Sequence, residues 1–231
     1  ETLCVLGECA RLVGVDRYSN WPPAVQSLAR MGGGIDPNIE AILAARPDLV
    51  LLAGSTRGGD RLEALGLKVL RLEPRTTADV QRVLSTVAKA VGLDESSSTR
   101  VWLNIESGVS QAINSIPSAS RSRRVYFEVS PAPYGASDSS FIGSLLQSFG
   151  LVNIIPADMG PFPKINPEFV VRAQPDIIML SDSSRQSLMQ RPGWKGLPAI
   201  QHQRLCVFNQ AESDVLVRAG PRLAEAAQLI A

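Results

Sequence analysis

The chain has 231 residues, with 23 Lys and Arg against 22 Asp and Glu and a formal net charge of +1. So even a balance offers no field to gather nucleic acid, and no such partner is expected. No apolar run approaches the roughly 20 residues of a membrane span, yet the length allows a real core in one large domain or two small ones.

Glu1-Thr-Leu-Cys-Val-Leu reads as amphipathic helix, not as the basic-then-apolar start of a signal peptide. The expectation is that the natural chain begins earlier, with a targeting segment and a first strand. Of the three cysteines, Cys4 and Cys9 would lie on different faces of an unbroken helix and could not bridge. A helix ending at Gly7 would relax that. The residues favour core thiols, with Cys206 as the third, and a zinc pattern is absent.

Arg11-Leu-Val-Gly-Val15 reads as a short strand. Residues 16–23 follow as a loop, because Pro22 and Pro23 oppose both ladder pairing and helix. Tyr18 and Trp21 sit in that loop. Gly32-Gly-Gly34 is a turn, and a segment of particular interest follows it.

Asn38-Ile-Glu-Ala-Ile-Leu-Ala-Ala-Arg-Pro-Asp-Leu-Val-Leu-Leu52 aligns without a gap to Asn166-Pro-Glu-Phe-Val-Val-Arg-Ala-Gln-Pro-Asp-Ile-Ile-Met-Leu180. Each copy predicts a short helix opened by Asn and stopped before Pro, then a buried parallel strand. The spacing is far too long for a solenoid, so it implies two similar α/β lobes with a ligand cleft between them. After the first strand, Ala53-Gly-Ser-Thr-Arg-Gly-Gly59 is a polar loop where open α/β sheets present ligands, but it has no Walker or dinucleotide spacing.

A helix is expected over 60–65, a strand over 68–72, a helix over 77–91 and a long helix over 94–113. At 1.5 Å per residue the last would span about 30 Å, enough to bridge two small domains. Domain bounds follow: 1–93 an N-terminal lobe, 94–120 the bridging helix and linker, 121–231 a C-terminal lobe. Arg121-Ser-Arg-Arg124 is the densest basic spot and reads as a solvated loop.

In the second half a strand is expected over 125–129 and a loop over 130–137, which carries Tyr134. A helix is expected over 140–149, then a proline-rich approach with Phe162 to the second repeat. Ser181-Asp-Ser-Ser184 and residues 209–217 read as loops, on either side of a strand over 205–208, and a last helix starts near Pro221. The alternation of strand and helix makes the class α/β, with mostly parallel sheets flanked by helices.

His202 is the only histidine, in a polar turn, so a catalytic triad, a His base or a multi-histidine metal site would rest on it alone. No HExxH, nucleophile elbow or metal-spaced aspartate cluster appears. No enzyme activity, metal or cofactor is expected. A small transferase-type α/β enzyme is the rival from another class.

Leu12-Val-Gly-Val, Tyr18-Ser-Asn-Trp-Pro-Pro23, Gly32-Gly, Asn38-Ile-Glu-Ala-Ile-Leu and Arg46-Pro-Asp-Leu-Val-Leu resemble helical-backbone, or class III, periplasmic binding proteins. Gly160-Pro-Phe-Pro-Lys-Ile165, Gly196-Leu-Pro-Ala-Ile200 and Arg218-Ala-Gly-Pro-Arg222 continue the match over almost the whole chain. That family serves ABC importers of vitamin B12, ferric siderophores and haem. The Tyr-Ser-x-x-Pro-Pro loop is most similar to the B12 branch.

The resemblance implies two lobes joined by one long backbone helix, and a monomer that is periplasmic or anchored outside the cytoplasmic membrane. It implies capture of cobalamin or another corrinoid, with ferric siderophore or haem as alternatives, and a paired importer permease as partner. Tyr18 and Phe162 would pack on a large ring, with Trp21 and Tyr134 beside them; Arg57, Asp214 and Arg218 would meet polar groups. Glu40 and Glu168 would dock onto the two permease subunits. Gly33 and Ala53-Gly54 stand where the B12 branch tends to have more aromatics, which thins the stacking surface.

Overall fold

The computed structural model describes residues 1–231 and is a mixed α/β structure of eleven α-helices and seven strands. The chain divides into two compact units, Glu1–Pro74 with Asp79–Trp102 and Arg75–Ala78 with Leu103–Ala231.

The first unit contains α1 (Thr2–Val5), α2 (Ile39–Ala45), β1 (Val50–Ala53), α3 (Gly59–Ala64) and β2 (Val69–Leu72). It also takes most of α4 (Thr77–Ala90) and the start of α5 (Glu95–Ser115). β1 and β2 pair in parallel, with Val50 opposite Val69 and Ala53 opposite Leu72. α4 is amphipathic as its pattern predicts: Val80, Leu84, Val87 and Ala88 fall on one stripe, and all four are buried. The boundary between units falls inside α5, between Trp102 and Leu103, so this 21-residue helix is shared by both.

Two expectations for this unit are corrected. α1 stops at Val5, and Gly7 turns the chain at φ 88°, bringing Cys4 and Cys9 to a Cα separation of 4.1 Å. They form a disulfide, so Cys206 alone is a free thiol. Residues 11–15 are not a strand either. Cys9–Arg11 is a 3-10 turn, and Val15 keeps a single parallel bridge to Arg30. Val13, which a ladder would have covered, is 53% exposed.

The second unit adds β3 (Arg124–Ser130), β4 (Tyr134–Gly135), α6 (Phe141–Ser148), β5 (Val152–Asn153), α7 (Pro167–Ala173), β6 (Ile177–Ser181), α8 (Asp182–Leu188), α9 (Pro198–Gln201), β7 (Leu205–Phe208), α10 (Gln210–Leu216) and α11 (Leu223–Ile230). Its sheet runs β4-β3-β6-β7, with β5 on the same side of β3 as β4. β3, β5, β6 and β7 are mutually parallel and β4 is antiparallel. Val125 to Glu128 are buried in succession, as expected of a central strand covered on both faces. Packed on one face are Tyr126, Ile155, Ile165, Val170, Ile178, Leu180 and Trp194. At Gly108 a Cβ would come within 2.7 Å of the Ala224 Cβ, so the glycine allows α5 to approach the chain at α11 closely.

The repeat is structural. α2 and α7 each have seven residues, offset by 128, and the ends of β1 and β6, Ala53 and Ser181, are offset by the same 128. Asn38 accepts from the Ala41 N–H at 3.0 Å and Asn166 from the Glu168 N–H at 2.9 Å. These side chains satisfy donors that a helix N-terminus otherwise leaves open.

Three expected loops are ordered elements. Residues 181–184 open α8. Residues 209–217 hold α10, opened by a capping box in which Asn209 and Glu212 exchange bonds of 3.0 and 2.8 Å. Tyr134 lies on β4 rather than in a free loop. Prolines 131 and 133 had suggested the loop, yet a proline lacks only its donor; the Pro133 carbonyl accepts from the Ile165 N–H at 2.9 Å.

Candidate functional site

In the first unit, the loop 16–23, the glycine turn and the loop after β1 meet at the carboxyl end of that strand. Asp16 accepts from the N–H groups of Tyr18 and Ser19 at 3.0 and 2.7 Å, shaping the turn that presents Tyr18. Arg30 fastens the same loop through the carbonyls of Asp16 and Ser19. The Arg57 N–H donates to the Gly34 carbonyl at 3.2 Å, tying the loop after β1 to the glycine turn.

Gly33 is buried beneath this arrangement. A Cβ there would stand 2.9 Å from Asp36 Oδ1 and 3.5 Å from the Tyr18 ring. An aromatic at 33 would therefore meet the Tyr18 loop itself. Tyr18 is 65% exposed, Arg57 is exposed and Trp21 is half-buried. Ile35, which the sequence reading passed over, is 78% exposed on the same ledge. An apolar residue inside a Gly-rich polar turn was the available signal.

In the second unit, residues 133–137 lie alongside 161–165. The N–H groups of Gly135 and Ser137 donate to the carbonyls of Pro163 and Pro161, each at 3.1 Å, and Tyr134 bridges Lys164. Tyr134 and Phe162 are thus brought together on one hydrogen-bonded ledge at the carboxyl end of β3, 40% and 46% exposed. Met159, 41% exposed, lies just before the ledge and was also passed over.

Asp214 and Arg218 lie at the opposite flank, after β7. They pair with each other at 3.1 Å, and Gln210 donates to Asp214 at 2.9 Å. Val217 between them is 44% exposed and borders a narrow crevice shared with Val129, Ser181 and Phe208, the ends of three parallel strands. Ligands of open α/β sheets bind at such carboxyl ends.

Glu40 and Glu168 occupy the first turns of α2 and α7, are exposed and make no ion pair or side-chain hydrogen bond. Each closely follows a ledge residue, Ile35 or Phe162, in its own unit. His202 is exposed just after α9, at the amino end of β7 and so at the opposite end of the sheet from Tyr134 and Phe162.

Beneath the C-terminal ledge lies a buried polar cluster. Glu128 is 1% exposed, and Arg191 grips it bidentately, one contact at 2.9 Å. The Tyr126 hydroxyl donates to the same carboxylate at 3.1 Å. Arg191 stacks on Trp194 with 4.5 Å to the ring centroid, and Trp194 Nε1 donates to the Pro167 carbonyl at 3.2 Å. Burial, then the Glu128 charge, pushes the Tyr126 phenol well above its ordinary value, so it is a neutral donor. Burial pulls the Arg191 guanidinium down, but the bond and charge of Glu128 outweigh it and hold the cation above its usual value.

These features define an α/β protein that presents exposed aromatic loops at the carboxyl ends of its strands. Residues 1–211 match the profile of the family described as periplasmic binding protein, and the chain belongs to that family. An uncharacterized ABC transporter substrate-binding lipoprotein of Bacillus subtilis, YvrC, is 24% identical over all of this chain and 75% of its own length. The vitamin B12-binding protein of Pectobacterium atrosepticum is 26% identical over all of this chain and 83% of its own. A periplasmic heme-binding protein from Pseudomonas aeruginosa shares the fold at a TM-score of 0.84 and 20% identity, over 98% of this chain and 86% of that one. The chain is a binding protein of the ABC-importer type, not an enzyme. No helix is long and apolar enough to cross a membrane.

Proposed function

We propose that this chain captures cobalamin or a related corrinoid and hands it to an ABC importer. The observation that carries this reading is the side-by-side presentation of Tyr134 and Phe162 on a hydrogen-bonded ledge. Flat aromatic faces with few rotors bury wide apolar area at low entropic cost, which suits a large ring. From β4 to β7 the carboxyl edge spans three strand spacings, about 14 Å, a width for a macrocycle rather than an ion.

Pairing of charges at the ledges suits a corrinoid, whose periphery is amide-rich. Arg17 is paired with Asp36 and Arg218 with Asp214, leaving Arg57 and Lys164 as the cations without an ion pair there. Tyr18, Trp21 and Arg57 on the N-terminal ledge, and Tyr134, Phe162, Asp214 and Arg218 on the C-terminal one, are the proposed ligand contacts. The similarity to a vitamin B12-binding protein points the same way.

Glu40 and Glu168 are the proposed docking groups for the paired permease subunits, where two carboxylates would set orientation and on-rate more than affinity. A monomer suits that role. The Cys4–Cys9 disulfide fits an oxidising compartment outside the cytoplasm, and similarity to a lipoprotein supports membrane anchoring there.

Haem is the second reading, favoured by the exposed Tyr18 phenol, which could serve as an axial ligand. Calorimetric titration with cyanocobalamin, haem and a ferric siderophore separates them. One-to-one heat with cyanocobalamin is expected. Silence with it, together with a haem Soret shift that Tyr18→Phe abolishes, would replace the corrinoid by haem.

A further inference from the structure

We propose that Glu128, Arg191 and Trp194 are positioning residues for the Tyr134–Phe162 ledge, an inference that rests on the ligand role given to that ledge above. None of the three is part of the exposed surface at the ledge, yet together they tie into the chain at both of its segments. Glu128 stands opposite Gly135 in the β3–β4 register, directly before the irregularity that turns β3 toward Tyr134. Trp194 holds the Pro167 carbonyl, two residues past the end of the 161–165 segment. Arg191 joins the two grips, holding the Glu128 carboxylate with both nitrogens while stacked on the Trp194 ring.

The packing around Gly135 explains why such a device is useful. A Cβ at Gly135 would meet Ile155 at 2.2 Å and Ile165 and Tyr126 at 3.2 Å, so β4 lies hard against the core beneath. Its own ladder is short: β4 has two residues, and its register with β3 is broken between Glu128 and Ser130. Two residues of pairing give little resistance to slippage. The buried ion pair supplies what the ladder lacks, a directional anchor with one geometry.

Energetically, a buried ion pair is poor as a source of stability, because desolvation offsets the attraction. Its position under the ledge fits a role in fixing geometry. The aromatic faces then meet the ligand already in place, so less order has to be created on binding.

Two variants test this. In E128Q, which keeps the side-chain shape, hydrogen exchange at the Gly135, Ser137 and Ile165 amides should quicken by at least about tenfold, while the Ile178 amide stays near the wild-type rate. In E128L/R191M the pair is replaced by apolar groups of similar volume, a change often neutral for stability. That protein should melt somewhat below wild type, because the buried Tyr126 hydroxyl loses its acceptor, and bind cyanocobalamin at least about tenfold more weakly. Unchanged ledge exchange in E128Q, or wild-type affinity in a folded E128L/R191M, would overturn the proposal. If E128L/R191M does not fold, the exchange in E128Q decides. If the wild type takes no cyanocobalamin, the corrinoid reading fails while the exchange comparison still tests the positioning role.

Discussion

Arg46 and Gln174, 128 residues apart, adopt the same left-handed backbone, φ 46° and ψ 56° against φ 48° and ψ 62°. Each ends its helix one residue before a proline and turns the chain into the following strand. Neither is glycine, the residue that takes this conformation without steric cost. The two halves therefore share a strained stop as well as a sequence. Arg46→Gly should stabilise the protein by about 0.5–1 kcal/mol, the relief of strain exceeding the added freedom of the unfolded chain. Gln174→Gly should gain little, because it also removes the bond of 2.6 Å from Gln174 Nε2 to the Val171 carbonyl. Urea midpoints of the two variants check the difference.

Phe162→Ala should weaken corrinoid binding by about tenfold, or ~1.4 kcal/mol, through loss of a stacking face. Phe162 is 46% exposed, so its thermal midpoint should barely move. Titration and melting of the same preparation measure both.

Glu40→Ala with Glu168→Ala should leave ligand affinity unchanged and impair uptake through the cognate importer. Neither carboxylate has an internal partner, so the protein loses no bond. Transport at the wild-type rate by the double variant would refute docking through these residues.

Replacing Cys4 and Cys9 by Ser should cost about 2 kcal/mol, the loop-closure entropy of so short a ring in the chain-entropy description. The loss should appear in the denaturant midpoint and should be absent when wild type and variant are compared under reducing conditions.

Cys206 gives a prediction of opposite character. Burial pushes its thiol pKa up, so at pH 8 the native thiolate fraction is smaller than that of an exposed cysteine. Iodoacetamide should label native protein slowly and label it rapidly in urea. Raising the pH should quicken native labelling only above the range where an ordinary cysteine is already ionised.

The twin helix–strand units were legible in the chain because Asn38 and Asn166 cap within three residues and Pro47 and Pro175 stop what precedes them. α4 and α5 were legible from the spacing of their apolar residues. The polar stretches 181–184 and 209–217 were misread as loops because Ser, Asp and Asn favour turns and helix starts alike. Asn209 and Glu212, three apart, were the signal for α10. The kink at Gly7 was visible too, but not whether it would bring the cysteines together.

Sequence alone determined the α/β class, the doubled architecture, the family resemblance and the placing of Tyr18 and Phe162 outside regular helix. These follow from caps, breakers and periodicities, which act over a few neighbouring residues. Tertiary structure decided that Tyr134 and Phe162 share one ledge, that Gly33 must stay bare beneath Tyr18, and that Glu128 meets Arg191 across 63 positions. Such contacts depend on how distant segments pack, and no local pattern encodes which backbone carbonyl or buried charge will find which partner.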